Sequence, residues 1–311
     1  MNAAARIGAF VSLLVLVFAA AAFAGSKIDP GVDEPSSEME MEGTEMKMEE
    51  HTQNAPTAEV PGLAVASGGY DLSLPETILQ PNASTEFEFS ILDQEGATVR
   101  EFDSSHERRM HLIVVRRDFQ AFQHLHPEQR PDGSWTATMD SRLPGVYRAF
   151  ADFSTGGESL TLAADLFVPG QFDPQPLAPV STTADAGDGY EVSLESPAAG
   201  AGDTVGAEFT VTLDGEPIGE LQPYLGADGH LVALRQGDQA FLHTHPEGEP
   251  GGAGPIRFQV SYPSAGRYRL YLQFRHENRI HTAEFTREVA PAGQTDTPAG
   301  HEGSSGESHG H

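Results

Sequence analysis

The sequence predicts an all-β protein built as two tandem antiparallel sandwiches, immunoglobulin-like or cupredoxin-like, flanked by disordered tails. Three observations predict it. Apolar and polar residues alternate with period two, as in Tyr147-Ala149-Ala151-Phe153 and Tyr268-Leu270-Leu272-Phe274, which is the pattern of strands buried on one face. The 33 Gly and 22 Pro supply frequent turn signals, among them Asp132-Gly133 and Asp214-Gly215, and argue against an all-helical chain. Finally, one unit occurs twice at an offset of about 120 residues. Gly69-Tyr70-Asp71-Leu72-Ser73-Leu74 matches Gly189-Tyr190-Glu191-Val192-Ser193-Leu194, and Gly145-Val146-Tyr147-Arg148 matches Gly266-Arg267-Tyr268-Arg269.

Taken in order, residues 1–24 read as an export signal. Arg6 opens it, an apolar run follows from Ile7 to Val17, and Ala22-Phe23-Ala24 offers small residues before a cleavage point at Gly25. The same segment, uncharged from Ile7 to Ala24, also reads as an N-terminal membrane anchor. Either way the remainder lies outside the cytoplasm, secreted or held on the outer face of the cytoplasmic membrane. Residues 25–67 have no apolar periodicity and form an acidic linker in which Met39, Met41, Met46 and Met48 stand among carboxylates ahead of His51. Thioether sulfurs in flexible Met-x-Met pairs suit Cu(I), although a solvated acidic linker with incidental methionines fits the pattern equally well. Residues 68–169 form sandwich 1. Residues 170–187 form a linker that Pro174, Pro176 and Pro179 hold extended. Sandwich 2 covers 188–289, and the Gly/Ser-rich tail 290–311 carries His301, His309 and His311. In sandwich 1, Leu143-Pro144-Gly145-Val146-Tyr147 resembles the tyrosine corner of immunoglobulin-like domains.

Composition narrows the function. Lys and Arg total 18 against 46 Asp and Glu, so the net charge of −28 excludes a nucleic-acid binder, which needs a basic face. With no Cys, disulfides, thiolate zinc sites, iron–sulfur clusters and a blue-copper centre are all closed. A metal would have to be held by His, Met, Asp or Glu, and the chain has 13 His. No Gly-x-Ser-x-Gly elbow, phosphate-binding loop or His-Glu-x-x-His helix is present, so the expectation is a protein that is not an enzyme.

The histidines concentrate in two matching hairpins. In the first, His111-Leu112-Ile113-Val114-Val115 runs to Arg117-Asp118 and returns through Phe122-Gln123-His124-Leu125-His126-Pro127. In the second, His230-Leu231-Val232-Ala233-Leu234 runs to Gln236-Gly237 and returns through Phe241-Leu242-His243-Thr244-His245-Pro246. Two-residue turns at Arg117-Asp118 and Gln236-Gly237 set His111 directly opposite His124 and His230 opposite His243. His126 and His245 then follow two residues along the same face. Opposed side chains start about 5 Å apart, so three imidazoles can converge on one ion in each copy. His106 and Glu128 in the first copy, or Glu247, His276 and His281 in the second, could complete the coordination. The competing reading makes these histidines structural groups at the sandwich end.

Through His-Leu-Ile-Val-Val and Phe-Gln-His-Leu-His-Pro, each unit resembles exported bacterial sandwich proteins of the YtkA-like type. It is similar more distantly to periplasmic copper-resistance carriers, which are also small sandwiches with His ligands. The resemblance implies copper or heavy-metal handling. Together with the Met pairs it makes copper the expected ion, with zinc as the alternative for imidazole ligands. The functional expectation is an extracytoplasmic metal-binding protein that buffers or delivers copper. The alternative is a non-catalytic cell-surface spacer or interaction module.

Overall fold

A computed structural model describes residues 60–242, 244–248, 251 and 254–294. The signal or anchor segment, Met39, Met41, Met46, Met48, the C-terminal histidines and His243 lie outside the described residues.

The first unit contains β1 (Ala66–Ser67), β2 (Tyr70–Ser73), β3 (Thr85–Leu92), β4 (Met110–Arg116), β5 (Gln123–Leu125), β6 (Glu128–Gln129), β7 (Trp135–Met139), β8 (Gly145–Thr155) and β9 (Glu158–Val168). The second contains β10 (Thr183–Gly187), β11 (Tyr190–Glu195), β12 (Thr204–Leu213), β13 (Glu216–Pro217), β14 (Gly229–Arg235), β15 (Phe241–Leu242), β16 (Thr244–Glu247), β17 (Ile256–Ser261), β18 (Gly266–His276) and β19 (Arg279–Val289). One sheet of the first unit is ordered β1-β2-β3-β7-β6 and the other β5-β4-β8-β9. The second unit repeats this as β10-β11-β12-β17-β16, with β13 on β12, and β15-β14-β18-β19. These orders are those of the immunoglobulin sandwich, ABED against CFG, with an added edge strand beside C. All the ladders between named strands are antiparallel, and isolated parallel bridges tie Ile78, ahead of β3, to Phe167 of β9 and Gly200, ahead of β12, to Ala290 just after β19.

Period-two alternation places one face of each strand in a core. Phe87, Phe89 and Ile91 of β3 meet Leu112, Val114, Tyr147, Ala149, Ala151 and Phe153 in the first unit. Phe209 and Val211 meet Leu231, Ala233, Tyr268, Leu270, Leu272 and Phe274 in the second. The tyrosine corner forms in both copies: Tyr147 donates to the Leu143 carbonyl and Tyr268 to the Ser264 carbonyl, each at 2.7 Å. Replacing either tyrosine by phenylalanine removes a hydrogen bond from a buried ring and should cost about 1 kcal/mol. Urea unfolding of the two variants measures this, and an unchanged midpoint in both would make the corner energetically idle.

Two boundaries differ from expectation. Sandwich 2 begins inside the expected 170–187 linker, because Ala184 and Ala186 of β10 pack against its core while β10 pairs with β11. Sandwich 1 begins before residue 68, since Gly62 donates to the Thr161 carbonyl and Ala163 to the Ala64 carbonyl, laying this segment along β9. Alternation across so few residues is too short a signal to read, and the backbone pairing of these edges decides the boundary.

A third apolar cluster joins the units. Ile113, Val115, Phe119, Phe150 and Ala163 pack against Val232, Leu234, Phe241 and Tyr271, so the β4-β8 face of one sandwich lies on the β14-β18 face of the other. Phe122 stacks on Tyr271 with ring centroids 4.0 Å apart. Hydrogen bonds cross the same seam: Tyr271 Oη donates to the Phe119 carbonyl at 2.8 Å and Gln239 Nε2 to the Arg116 carbonyl at 3.0 Å. This explains why Leu112-Ile113-Val114-Val115 and Leu231-Val232-Ala233-Leu234 are continuously apolar rather than alternating: both faces of β4 and β14 are buried.

Candidate metal centre

The hairpin register differs from the expected one by two residues. His124 pairs with Ile113, not His111, and Leu125 pairs with Leu112. The reason is the turn. Phe119 and Ala121 both take left-handed backbone angles, and Arg116 donates to the Gln120 carbonyl, so the connection is longer than Arg117-Asp118. Arg116 grips Asp118 through two 2.8 Å hydrogen bonds and holds that loop. The second copy shows the same shift, with Ala233 opposite Leu242 and Leu234 opposite Phe241 rather than a tight Gln236-Gly237 turn. A shift of two preserves the face, whereas a shift of one would have reversed it. His111, Ile113 and Val115 therefore point toward the seam between sandwiches, and His124 and His126 join them there.

His111, His124 and His126 offer ring nitrogens that all lie within 4.8 Å of one another. Their ring centroids are 5.3 Å apart for His111–His124 and His111–His126, and 4.8 Å for His124–His126. Three imidazoles bound to one ion at 2.0–2.1 Å place their centroids about 5 Å apart, so the spacing is that of a three-ligand set.

His111 Nε2 lies 3.1 Å from the Ser105 carbonyl, an acceptor, so that nitrogen carries the proton. Gln273 Nε2 donates to Thr282 Oγ1 at 3.3 Å, which turns Gln273 Oε1 toward His124 Nδ1 at 2.7 Å and makes His124 Nδ1 the donor. A neutral imidazole has one N–H. The remaining nitrogens, His111 Nδ1 and His124 Nε2, then face each other with lone pairs 3.0 Å apart. Two lone pairs at that distance repel unless a cation lies between them. His126 Nε2 is buried and has no hydrogen-bond partner among the described residues. Burial disfavours a proton as that cation: it pushes His111 down to about 4, His124 to about 3 and His126 to about 4, with neighbouring histidines deepening the shifts of His111 and His124. The Gln273 carbonyl and the Ser105 carbonyl orient the two rings from behind, as outer partners of metal-bound histidines do.

The remaining expected ligands are distributed differently. His243, the expected partner of His230, lies outside the described residues; the His230 ring sits 4.7 Å from His124 and stacks on His111 at 5.6 Å with planes 8° apart. Burial and the surrounding histidines hold its pKa well below the ordinary value. His245 is exposed on β16, which belongs to the other sheet through its pairing with β17. It lines, with His106, His111, Arg108 and Asp152, a cavity of about 490 Å³ beside the cluster. His106 occupies a tight turn, Ser105 to Arg108, in which both His106 and Glu107 have positive φ (47° and 62°). Such turns favour Asn-Gly, so the backbone here is strained, and the His106 ring lies 5.9 Å from His230 and 6.2 Å from His111. His276 and His281 have other work: His276 Nδ1 is 2.7 Å from Tyr190 Oη, and His281 packs on Tyr190 at 4.0 Å. Glu247 accepts from Gln259 and takes no part in the cluster. Sequence reasoning missed Gln273 entirely. It missed the placing of His230 beside His111 and His124 as well, although the unbroken apolar runs of β4 and β14 signalled that both strand faces are covered.

No curated relative matches the chain. Solved structures that align with it include the FdeC adhesin of Escherichia coli at 15% identity and a TM-score of 0.25, covering 73% of this chain and 66% of that one. InvD of Yersinia pseudotuberculosis aligns at 13% and 0.24, covering 75% and 62%. Invasin, a bacterial integrin-binding protein, aligns at 12% and 0.22, covering 73% and 41%. The chain thus spans less than two thirds of each of these proteins, and none of the likenesses bears on function. A family model matches residues 64–170 and again residues 182–291, one match on each sandwich, so the chain belongs to the family described as a domain of unknown function, DUF8832.

Proposed function

We propose that this is an extracytoplasmic, non-catalytic metal-binding protein whose tandem sandwiches hold a divalent ion at His111, His124 and His126. The observation that carries the reading is the pair of lone pairs on His111 Nδ1 and His124 Nε2, 3.0 Å apart, with the buried Nε2 of His126 close by. That N–N separation is one two cis imidazoles adopt on an ion with bonds near 2.0–2.1 Å. An all-imidazole donor set suits Cu(II) and Zn(II), and the Met-x-Met pairs of the N-terminal segment would add soft donors for Cu(I). Buffering or delivery of copper is the role that uses both donor types, and it is the role implied by the resemblance to YtkA-like proteins and copper-resistance carriers.

The test is titration of the full chain with Cu(II) and Zn(II), reading bound ion per chain and affinity, beside a variant carrying His111→Ala, His124→Ala and His126→Ala. One ion should be lost in the variant with an affinity drop of at least about 100-fold at that site. Equal binding by both proteins would return the trio to structural duty. The second reading, a cell-surface spacer or interaction module, is favoured by one observation: the packed, hydrogen-bonded seam makes the tandem a single stiff body. It gains if the triple variant loses stability without losing metal.

A further inference from the structure

The cavity beside the histidine cluster inverts the charge balance of the chain. The protein has 46 Asp and Glu against 18 Lys and Arg, yet the walls of this space of about 490 Å³ hold Arg108, Arg109 and three histidines against one carboxylate, Asp152. The volume is that of a small-molecule pocket.

Hydrogen-bonding capacity in the cavity is skewed toward donors. The Arg108 guanidinium makes no hydrogen bond or ion pair with any described residue, and the His106 and His245 rings make no hydrogen bond to any described residue. Ser154 Oγ and Ser159 Oγ lie 2.8 Å apart, so one hydroxyl donates to the other and the second proton is left for a ligand. Asp152 already accepts from Thr161 Oγ1 at 2.7 Å. Arg109 is engaged elsewhere, with its guanidinium over the Trp135 ring and a hydrogen bond to Gln129. Among the described residues of the wall, Arg108 is therefore the uncommitted cation.

The internal repeat shows that the fold does not require these groups. The turn from Ser105 to Arg108 recurs in the second unit from Tyr224 to Ala227, closed by the same pair of backbone hydrogen bonds, with Leu225 and Gly226 at the left-handed positions. Where the first unit has His106, Arg108 and Arg109, the second has Leu225, Ala227 and Asp228. The same turn thus forms with no basic residue. Glu107, the acid of the first turn, is not part of the cavity wall. The second sandwich contributes to that wall through Thr244 and His245 of β16.

We propose that this cavity binds a small organic oxyanion, a molecule bearing a carboxylate or phosphate group, anchored by the Arg108 guanidinium with His106, His245 and the Ser154–Ser159 hydroxyl pair as further donors. A planar guanidinium presents paired N–H groups that match the oxygens of either group, and such a charge-assisted contact is about twice as strong as a neutral one. The imidazoles serve without being charged, because each neutral ring still carries one N–H. The site needs no metal and does not rest on the metal-binding reading. His111 belongs to both the cavity wall and the trio, so an anion held here is the trio's neighbour.

The experiment uses the full chain, stripped of metal with a chelator that is then dialysed away, because a chelator is itself a polycarboxylate. Citrate and inorganic phosphate are titrated by calorimetry at constant ionic strength into the parent, Arg108→Ala, Arg108→Lys and His245→Ala. Arg130→Ala is the control, since the Arg130 guanidinium pairs with Glu86 and Glu88. Circular dichroism confirms folding. The expected result is saturable binding of one anion per chain by at least one of the two probes, weakened at least about 10-fold in Arg108→Ala and less in Arg108→Lys. His245→Ala should weaken it as well, and Arg130→Ala should match the parent. Tighter binding of citrate assigns a carboxylate ligand and tighter binding of phosphate a phosphate-bearing one, and either supports the site. No saturable binding of either probe, or equal affinity in folded Arg108→Ala and the parent, overturns it. Equal losses in Arg108→Ala and Arg130→Ala overturn it too, because net charge alone would then account for binding. The Zn(II) and Cu(II) titrations of the trio are separate measurements, so each reading fails on its own.

Discussion

Acidifying the metal-free protein from pH 7 to pH 4 should destabilise it steeply, before most of its carboxylates change charge. Four buried or half-buried imidazoles, His111, His124, His126 and His230, are responsible. Burial lowers His111 to about 4, His124 to about 3 and His126 to about 4, and holds His230 well below its ordinary value. In the unfolded chain each titrates near 6.5. The unfolded state therefore binds more protons throughout the interval from about 6.5 down to about 4, and stability rises with pH across it. Stability from this source is complete above pH 6.5 and is lost as pH falls toward the folded values. Once one ring is forced to take a proton, its neighbours oppose the next, because each ring lies within 4.7 to 5.6 Å of others. Thermal unfolding followed at pH 7.5, 6.5, 5.5 and 4.5 in the presence of a chelator measures the effect. A quadruple His→Gln variant at these positions should show a much flatter profile, and a parental midpoint that does not move between pH 7.5 and 5 would sink the account. Saturating Zn(II) should protect the parent at pH 7 and lose its protection as protons compete for the same nitrogens.

Replacing Tyr271 by alanine should be the most damaging single change at the seam. Its ring is fully buried, stacks on Phe122 at 4.0 Å, and its hydroxyl donates to the Phe119 carbonyl of the other sandwich. Removing a buried aromatic of this size costs about 3–5 kcal/mol, the spread reflecting how far the cavity collapses. Tyr271→Phe keeps the stack and loses only the hydrogen bond, so it should cost about 1 kcal/mol, somewhat more because the Phe119 carbonyl is left without its donor. Denaturant unfolding of the two variants separates packing from hydrogen bonding. Tyr271→Ala, although it touches none of the trio, should also weaken metal binding, because a loosened seam withdraws Gln273 from His124. Equal stability of Tyr271→Ala and the parent would mean that the sandwiches do not depend on each other.

The two kinds of effect have a common physical origin. The seam desolvates the histidines, which keeps them neutral and leaves their lone pairs free to bind an ion. The same desolvation makes them sensitive to acid when no ion is bound. Arg148 shows how carefully other charges at the seam are handled: its guanidinium is buried, donates to the Gly62 and Leu63 carbonyls, and pairs with Asp165, which also takes Arg117. Among the described residues no carboxylate hydrogen-bonds to His111, His124, His126 or His230, and the charge nearest His111 in effect is that of Asp152.

What the amino-acid order determined by itself is local. Alternation in Tyr147-Ala149-Ala151-Phe153 and in its copy specifies half-buried strands, Pro144-Gly145 ahead of Tyr147 specifies the corner, and the repeat specifies two units. The clustering of His111, His124 and His126 was legible too, because strand periodicity keeps residues two apart on one face and an even shift of register leaves that face unchanged. The exact pairing was not, since it depends on left-handed angles at Phe119 and Ala121, residues with no intrinsic preference for them. Only the tertiary structure decided where His230 lies, beside His111 and His124. Its partners are set by which faces of two separate sandwiches bury each other, and that is a matter of matched apolar surface on Ile113, Val115, Val232 and Leu234, not of spacing along the chain. The repeat made two like hairpins, and only their packing face to face set His230 against His111 and His124.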